Sequence, residues 1–367
     1  MNKCKRCLMP DTRPGIIFND DGVCQACLNY DRRKEIDWET RWEALVKLCE
    51  RHKRSDGYYD CIVGVSGGKD SHYQVYIIRE RLGMNPLLIT VGNPFTMTQA
   101  GQHNFKNIGE VFNCDHMLFN MSADMLKRSM RVGFEEFLNP LMFVETACYT
   151  FLQNMAIKLG IPLVFFGEDP EYEYGTTTSN RNSANQFIND GLPFGIFKTI
   201  DFKFWEAHGI SREELNAFIL PSAEDVKGSN LHVAFMSYYL PWSSTQHLEI
   251  ARRYGFRDLA HEWKREGNFE DFEQIDSVAY MVHFWLKFPK FGFSRCSDLV
   301  SRRIREGLLT IDEGKELIRK YDDKLDQKSL DDFLAFVGYT PKQFWDIVEK
   351  WWNPNIFEKV DGIWKLK

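Results

Sequence analysis

The chain has 367 residues, of which 44% are hydrophobic and 27% charged, the composition of an ordinary globular protein. Its formal net charge of −6 argues against a protein that grips a long stretch of nucleic acid, since such proteins usually carry a basic excess. The sequence contains no apolar run of about 18 residues and no secretory signal at the N-terminus. We therefore expect a cytoplasmic protein whose nine cysteines are metal ligands, catalytic thiols or core residues rather than disulfides.

Residues 1–35 form a loop-rich module with two pairs of cysteines. Cys4 and Cys7 precede Cys24 and Cys27 in a C-x2-C-x16-C-x2-C pattern, the spacing of a four-cysteine zinc site. Because four thiolates complete a tetrahedron and leave no open position, we predict a structural Zn²⁺ that contributes the folding energy of this ribbon. The alternative, a pair of redox-active motifs, is less favoured because such motifs usually begin a helix after a strand.

Residues 36–205 alternate short apolar runs with helical patterns. Continuous apolar runs indicate buried parallel strands, and apolar residues at helical spacing indicate helices that stop at a glycine. The alternation predicts a doubly wound, mostly parallel α/β sheet, with the ligand at the carboxyl ends of its strands. The predicted strands are residues 60–65, 86–91 and 161–168, and the predicted helices are residues 71–81 and 146–159.

Residues 206–367 are predicted to be a mostly helical region that serves the substrate or a partner. Capping boxes at residues 211–214 and 310–313 mark two helix starts. Residues 275–288 are apolar and aromatic nearly all round, which predicts one buried helix that ends at Pro289.

The stretch between the first predicted strand and its helix reads Ser-Gly-Gly-Lys-Asp-Ser. Two glycines leave backbone N–H groups open to phosphate oxygens, and the start of the helix adds partial positive charge. Lys69 supplies a full charge, whereas Asp70 can hold Mg²⁺ directly or through water. We predict that ATP binds Val65, Ser66, Gly67, Gly68, Lys69, Asp70 and Ser71, of which Lys69, Asp70 and Ser71 are also catalytic.

This stretch is not a Walker A loop and resembles the SGGxDS signature of the PP-loop ATP pyrophosphatase superfamily. The resemblance implies that the loop holds the pyrophosphate leaving group while ATP is cleaved to AMP. By position, it also implies that Thr90 and Val91 lie beside adenine and that Gly167 and Glu168 lie near the α-phosphate. An ordinary turn after Phe166 is the alternative for the last two residues.

The whole chain resembles one family within this superfamily. A ribbon that opens Cys-x-x-Cys-x-Met-Pro-Asp-Thr-Arg-Pro, the motif Gly-Val-Ser-Gly-Gly-Lys-Asp-Ser and a long helical tail are similar to the N-acetyl sugar amidotransferases. Bacterial members of that family are tied to lipopolysaccharide O-antigen or flagellar glycan synthesis. The resemblance implies that the acetamido oxygen of an N-acetylated sugar is adenylated and then replaced by ammonia, which gives an acetamidino sugar.

The implied substrate is a nucleotide-linked diacetamido uronic acid or a nonulosonic acid. The implied ammonia source is a separate glutaminase with a synthase subunit, or free ammonia, because the chain carries no glutaminase signature. No nucleic-acid or membrane partner is expected, and a homo-oligomer is left open. Candidate sugar-binding residues follow the third predicted strand, where a solvated loop is the alternative: Asp169, Tyr172, Tyr174, Thr177, Asn180 and Arg181.

Two further functions remain as alternatives. A PP-loop enzyme that thiolates tRNA usually needs a reactive cysteine, a cysteine pair or an iron–sulfur cluster near the loop, but Cys61, Cys114 and Cys148 are scattered and form no C-x2-C motif outside the ribbon. A reactive Cys148 would strengthen that interpretation. A non-catalytic adaptor that senses nucleotide is disfavoured by the intact loop. His103 and His116 are expected near the ligand edge of the sheet, where a structural role is the commoner one.

Overall fold

The computed structural model describes residues 1–176, 202–215 and 219–367. Its centre is a five-stranded parallel sheet in the order β3-β2-β1-β4-β5. The chain builds outward from β1 to β3 on one side and then returns to place β4 and β5 on the other, so the sheet is doubly wound, as predicted. The strands are β1 Cys61–Gly64, β2 Pro86–Val91, β3 His116–Phe119, β4 Leu163–Phe166, β5 His232–Phe235 and, in a separate hairpin, β6 Phe357–Val360 and β7 Ile363–Leu366.

Helices cover both faces of the sheet and make up most of the C-terminal region. Among the described residues, no helix combines the length and the apolar character needed to cross a membrane. The helices are Gln25–Arg32, Arg33–Glu35 (3-10), Trp38–His52, Lys69–Val75 with a π-helical continuation Tyr76–Arg81, Gln99–Val111, Ala123–Phe137, Met142–Leu159, Pro170–Tyr174, Phe202–Ala207, Arg212–Leu215, Ala223–Ser229, Met236–Tyr239, Ser244–Arg253, Tyr280–Trp285, Lys287–Phe291, Arg295–Arg305, Ile311–Tyr321, Gln327–Val337 and Pro341–Glu349.

The continuous apolar strands are explained by two cores, one on each face of the sheet. Ile62 and Val164 contribute to the larger core, whereas Val63 and Phe165 point into the core on the opposite face. Successive side chains of a strand alternate between the two faces of the sheet. When both faces are covered, nearly every side chain of the strand is buried, and the strand is therefore a nearly continuous apolar run.

The sheet extends beyond residue 205, where the boundary of the α/β domain was predicted. β5 pairs with β4 along its whole length, for example Val164 with Val233. Helix Ser244–Arg253 then packs against helix Lys69–Val75, which follows the PP-loop. Residues after 205 thus contribute directly to the layer that carries the loop.

The prediction of a single buried helix over residues 275–288 is wrong. The first part of this stretch is extended, because Val278 N–H donates to the Thr96 carbonyl at 2.8 Å and Ser277 bridges Met97. The remainder is divided between helices Tyr280–Trp285 and Lys287–Phe291. Pro289 lies inside the second helix, in the first turn, where a backbone N–H has no intrahelical partner to lose. Both predicted capping boxes are confirmed by reciprocal hydrogen bonds.

Candidate functional site

The PP-loop follows β1 in a conformation that only glycine adopts easily. Gly67 has φ +82°, and a Cβ atom there would lie 3.0 Å from the backbone nitrogen of Phe105. Ser66 N–H donates to Ser71 Oγ at 2.9 Å, and Gly68 N–H donates to Ser66 Oγ at 3.3 Å. The two predicted serines therefore fold the loop back onto the start of its helix and fix the direction of its backbone N–H groups.

Lys69 lies in a buried ion-pair cluster rather than in open solvent. Its side chain is only 3% exposed, and Nζ lies 2.9 Å from Asp70 Oδ2 and 2.5 Å from Glu273 Oε1. Arg295 Nη2 holds the second oxygen of Glu273 at 2.7 Å. Burial alone would raise the pKa of Glu273, but the charges of Lys69 and Arg295 lower it to about 2. Two residues of the C-terminal region thus position the lysine of the loop.

Asp70 is oriented by a histidine that is distant in sequence. His247 is fully buried, its Nδ1 lies 2.6 Å from Asp70 Oδ1, and its ring stacks on Tyr73 with the centroids 4.0 Å apart. Because an ionised carboxylate can only accept, the Nδ1–H group is the donor. Burial would raise the pKa of Asp70, but Lys69 and His247 hold it below its ordinary range. Asp70 keeps 41% of its side chain accessible, so this carboxylate can meet a cation.

The predicted adenine residues at the end of β2 also support the loop. Thr90 Oγ1 donates to the Val65 carbonyl at 2.5 Å and lies 2.8 Å from His116 Nε2. Val91 is buried in the core. His103 Nε2 lies 2.8 Å from the Gly255 carbonyl. Both histidines therefore have structural hydrogen bonds.

The end of β4 passes close to the helix of the PP-loop. A Cβ atom on Gly167 would lie 3.0 Å from Gln74 Nε2 and 3.1 Å from Trp242, which explains the glycine at this position. Glu168 pairs with Arg302 at 3.2 Å and accepts a hydrogen bond from Tyr174 at 3.4 Å. Burial raises the pKa of Glu168 although Arg302 opposes the shift.

The other predicted sugar-binding residues divide between the site and the ribbon. Asp169 N–H donates to Ser237 Oγ at 2.9 Å. Tyr172 OH donates to the Asn29 carbonyl at 2.9 Å, so this phenol joins β4 to the ribbon helix. Arg13 lies over the ring of Tyr174, 4.2 Å from its centroid. The predicted residues Thr177, Asn180 and Arg181 lie outside the described residues.

Cys148 lies near the start of helix Met142–Leu159. It is exposed to solvent, yet the surrounding protein raises its pKa to about 12 through desolvation of the thiolate. Glu145 lies 3.2 Å from His283. Burial also raises the pKa of Cys61 well above its ordinary value and that of Cys114 to about 11. All three cysteines outside the ribbon that were considered as nucleophiles are therefore thiols at neutral pH, the weakly nucleophilic form.

The four ribbon cysteines meet as predicted. All are fully buried, and their sulfurs lie within 4.8 Å of one another. The Cys4–Cys27 and Cys7–Cys24 separations are 3.9 and 3.5 Å, close to the edge of about 3.8 Å that a tetrahedron of sulfurs around Zn²⁺ requires at a bond length of about 2.3 Å. Arg305 Nη1 lies 3.9 Å from Cys7 Sγ. The residues fit a thiophilic divalent metal in a closed, structural site.

Arginines connect the ribbon to the segment after β4. Glu173, which is buried, pairs with Arg33 at 2.6 Å and lies within 3.7 Å of both Arg302 and Arg305. Arg13 forms an ion pair with Asp298. No local sequence signal identifies these contacts, because they join residues more than a hundred positions apart.

Two comparisons of sequence match parts of the chain. Residues 266–367 match the family model described as "LPS biosynthesis protein WbpG-like, C-terminal domain". The uncharacterized protein MJ1599 of Methanocaldococcus jannaschii is 28% identical over 141 residues, which cover 36% of this chain. The chain matches 47% of that protein, so it spans about half the length of the curated relative.

Similar solved structures have low sequence identity and low TM-scores. A U34-tRNA thiolase NcsA from Methanococcus maripaludis, with its [4Fe-4S] cluster, is 14% identical with a TM-score of 0.34, over 84% of this chain and 87% of that chain. A predicted subunit of tRNA methyltransferase from Methanocaldococcus jannaschii is 14% identical with a TM-score of 0.27, and the match covers 52% of this chain and 73% of that chain. NMN synthetase from Francisella tularensis is 12% identical with a TM-score of 0.24, and the match covers 64% of this chain and 100% of that chain. At these scores the structural matches carry no functional argument.

The family match covers the part of the chain that supplies Glu273 and Arg295 to the PP-loop lysine. Residues 266–367 therefore match a domain family of lipopolysaccharide biosynthesis, and this match supports the resemblance of the chain to the N-acetyl sugar amidotransferases.

Proposed function

We propose that the protein is an ATP-dependent, AMP-forming amidotransferase that converts the acetamido group of a bacterial N-acetylated sugar into an acetamidino group. One observation carries the proposal: a domain whose family belongs to lipopolysaccharide biosynthesis places Glu273 against Lys69 of an intact PP-loop. The loop predicts cleavage of ATP to AMP, and the domain indicates the class of pathway. The proposed location is the cytoplasm, where ATP is available.

In the proposed reaction, the acetamido oxygen attacks the α-phosphorus of ATP and pyrophosphate leaves. Ammonia then adds to the imidate carbon through its lone pair. The bond from that carbon to the AMP oxygen breaks, one ammonia proton leaves with AMP, and the amidine remains protonated. The protein contributes mainly position and charge, because the loop N–H groups and Lys69 hold phosphate oxygens in a water-poor site.

Asp70 would hold Mg²⁺, which neutralises phosphate charge when bound. The donor set supports this assignment, since Asp70 is an accessible carboxylate with a lowered pKa beside the loop. His247 holds Oδ1 of Asp70 and Lys69 contacts Oδ2, so the cation would bind the remaining lone pairs of a carboxylate whose direction is fixed on both oxygens. The metal proposed for the four ribbon cysteines is Zn²⁺.

The proposed sugar is a nucleotide-linked diacetamido uronic acid or a nonulosonic acid of O-antigen or flagellar glycan synthesis. Ammonia would come from a separate glutaminase with its synthase subunit, or from solution. The tRNA-thiolating alternative would use a reactive thiol, a cysteine pair or an iron–sulfur cluster, and the raised pKa values of Cys61, Cys114 and Cys148 oppose the route through a reactive thiol.

Mass spectrometry of a complete reaction tests the proposal. ATP, Mg²⁺ and ammonium are incubated with a panel of N-acetylated nucleotide sugars and nonulosonic acids, and AMP and pyrophosphate are measured in parallel. The proposal predicts a sugar lighter by the difference between O and NH, in amounts that match AMP, and no such product with Lys69→Ala. Release of AMP only with tRNA and a sulfur donor would instead establish thiolation.

A further inference from the structure

A cavity separate from the PP-loop lies at the carboxyl ends of β4 and β5. We name it the arginine cleft; it has a volume of about 190 Å³, and its lining includes Arg32, Arg33, Trp38, Arg41, Tyr172 and Tyr238. Tyr238 follows β5, and Tyr172 belongs to the segment after β4. The first turn of helix Trp38–His52 reaches the same edge of the sheet, because this helix runs back towards the start of β1. The cleft therefore lies at the edge where open α/β sheets bind ligands.

Arg41 is held in the arginine cleft by one hydrogen bond and two aromatic rings. Its Nη1 donates to the Tyr238 carbonyl at 2.7 Å, and its guanidinium lies 4.1 Å from the centroid of the Tyr238 ring and 5.7 Å from that of Trp38. Within residues 1–176, 202–215 and 219–367, no carboxylate forms an ion pair with Arg41. A guanidinium keeps its charge at all physiological pH values and presents five N–H donors in a fixed plane. The rings of Trp38 and Tyr238 thus hold the Arg41 guanidinium, and its described hydrogen bonds use only one of its five N–H donors.

Two carboxylates, those of Glu35 and Asp169, line the cleft together with its three arginines. Glu173 holds Arg33 at 2.6 Å, and Asp169 Oδ1 accepts from the Tyr172 backbone N–H at 3.4 Å. Charged hydrogen bonds to a planar oxyanion are the strongest that arginine makes, because two parallel donors can meet two oxygens. The Arg41 guanidinium, which forms no ion pair among the described residues, therefore favours a carboxylate or phosphate group as its ligand.

The position of the cleft suits a substrate that also reaches the PP-loop. β4 separates β1 from β5, and neighbouring strands lie about 4.8 Å apart, so the end of β5 is about 10 Å from the end of β1. This distance is spanned by a sugar ring with one charged substituent. The end of β2, where adenine is predicted, lies on the other side of β1. The two ligands can therefore approach the loop from opposite sides.

We propose that the arginine cleft binds an oxyanion of the sugar substrate, either its carboxylate or the phosphates of its nucleotide, with Arg41 as the bidentate partner. The inference rests on the proposed function for the identity of the sugar. It makes Arg41 a determinant of specificity: anionic N-acetylated sugars are substrates, whereas neutral ones bind weakly.

Kinetics of Arg41→Gln and Arg41→Lys test the proposal. The substrates are a UDP-linked 2,3-diacetamido uronic acid, the same compound with its carboxylate reduced to an alcohol, and the uronic acid without nucleotide. Arg41→Gln is expected to raise KM for the complete substrate about 10- to 100-fold, the loss of one charged hydrogen-bonding partner, with KM for ATP unchanged. Arg41→Lys keeps the positive charge but cannot form two parallel hydrogen bonds, so its KM should lie between those of the wild type and Arg41→Gln.

Arg51→Gln is the matched control, because Arg51 is an exposed arginine at the far end of the same helix, with its Nε donating to the Lys47 carbonyl. The control should leave both KM values unchanged, and thermal unfolding checks that all three variants fold. In the wild type, the KM values of the two altered compounds identify the oxyanion. A raised KM for the reduced sugar points to the carboxylate, whereas a raised KM for the nucleotide-free sugar points to the phosphates.

Calorimetric binding of the UDP-linked uronic acid separates this inference from the proposed function. If the wild type forms no amidine from any sugar, the proposed function fails, yet a weaker affinity in Arg41→Gln than in Arg51→Gln still supports the cleft. Equal affinities and equal KM values in wild type and Arg41→Gln would overturn the cleft assignment whatever the product.

Discussion

Replacing Glu273 by glutamine removes the charge that joins the C-terminal region to Lys69 while it preserves the size of the side chain. Glu273 is 5% exposed and touches both Lys69 and Arg295. Its pKa falls from an ordinary value near 4.5 to about 2, and about 2.5 units correspond to about 3 kcal/mol of stability at neutral pH. Removal of one partner from a buried ion pair usually costs about 3–5 kcal/mol. We therefore expect Glu273→Gln to lower the free energy of unfolding by about 3 kcal/mol.

The pH dependence of this difference has a definite sign. A carboxyl group whose pKa is lowered on folding stabilises the protein above its unfolded pKa, and the contribution is lost as the pH falls towards the folded value. The difference between wild type and Glu273→Gln should therefore be constant near neutral pH and shrink from about pH 4.5 to about pH 2. Urea unfolding followed by circular dichroism at several pH values measures it.

Glu270→Gln provides the matched control for this experiment. Glu270 is also buried and pairs with Arg303 at 2.6 Å, but burial raises its pKa, so its charged form is disfavoured by folding and its loss should cost less at neutral pH. A destabilisation by Glu273→Gln that is no larger than that of Glu270→Gln would refute the reasoning about the Lys69 cluster.

Three further changes test other parts of the site. Cys24→Ser should abolish stoichiometric zinc, measured by mass spectrometry of the metal, together with the cooperative unfolding of the ribbon; a stable, metal-free variant with full activity would contradict a structural metal. Gly67→Ala places a Cβ at φ +82° and 3.0 Å from the Phe105 nitrogen, so ATP affinity should fall and stability should decrease by more than about 1 kcal/mol; unchanged ATP binding in calorimetry would count against the loop geometry. His247→Phe removes the donor to Asp70, so KM for ATP with Mg²⁺ should rise while the variant stays folded; the opposite result, a normal KM, would show that Asp70 needs no positioning.

Local sequence patterns predicted the parts of the fold that depend on local chemistry. β2 is predicted at residues 86–91 and observed at Pro86–Val91, because a strand buried on both faces is apolar at nearly every position; Thr90 is the one polar residue in it. Helix Met142–Leu159 ends at Gly160 with φ +65°, the left-handed conformation that made this glycine a stop signal. The cysteine spacing predicted a cluster that the structure confirms.

The prediction of a helix over residues 275–288 is wrong because long-range contacts determine the conformation of this stretch. A stretch that is apolar all round has no periodicity to distinguish a helix from an extended segment. Its conformation is set by residues 96–98, which follow β2 in the chain and supply its backbone partners. The same argument explains why Glu273 and His247 were missed, because they lie 204 and 177 residues from their partners in the loop.

The motif therefore predicts which loop binds phosphate, whereas the residues that orient this loop are visible only in the structure. Lys69 and Asp70 were predicted as the charged groups of the site, but their sequence neighbours contain no hint of the buried cluster around them. Cys148 illustrates the same limit: its reactivity depends on desolvation, which raises its pKa to about 12, and desolvation is a property of the assembled fold.

Transfer of labelled oxygen tests the central claim most directly. An N-acetylated sugar substrate is prepared with ¹⁸O in its acetamido carbonyl and turned over with ATP and ammonium, and the AMP is examined by mass spectrometry. If the acetamido oxygen attacks the α-phosphorus, the label appears in AMP in proportion to the amidine formed. Unlabelled AMP, with amidine still produced, would contradict adenylation of the sugar.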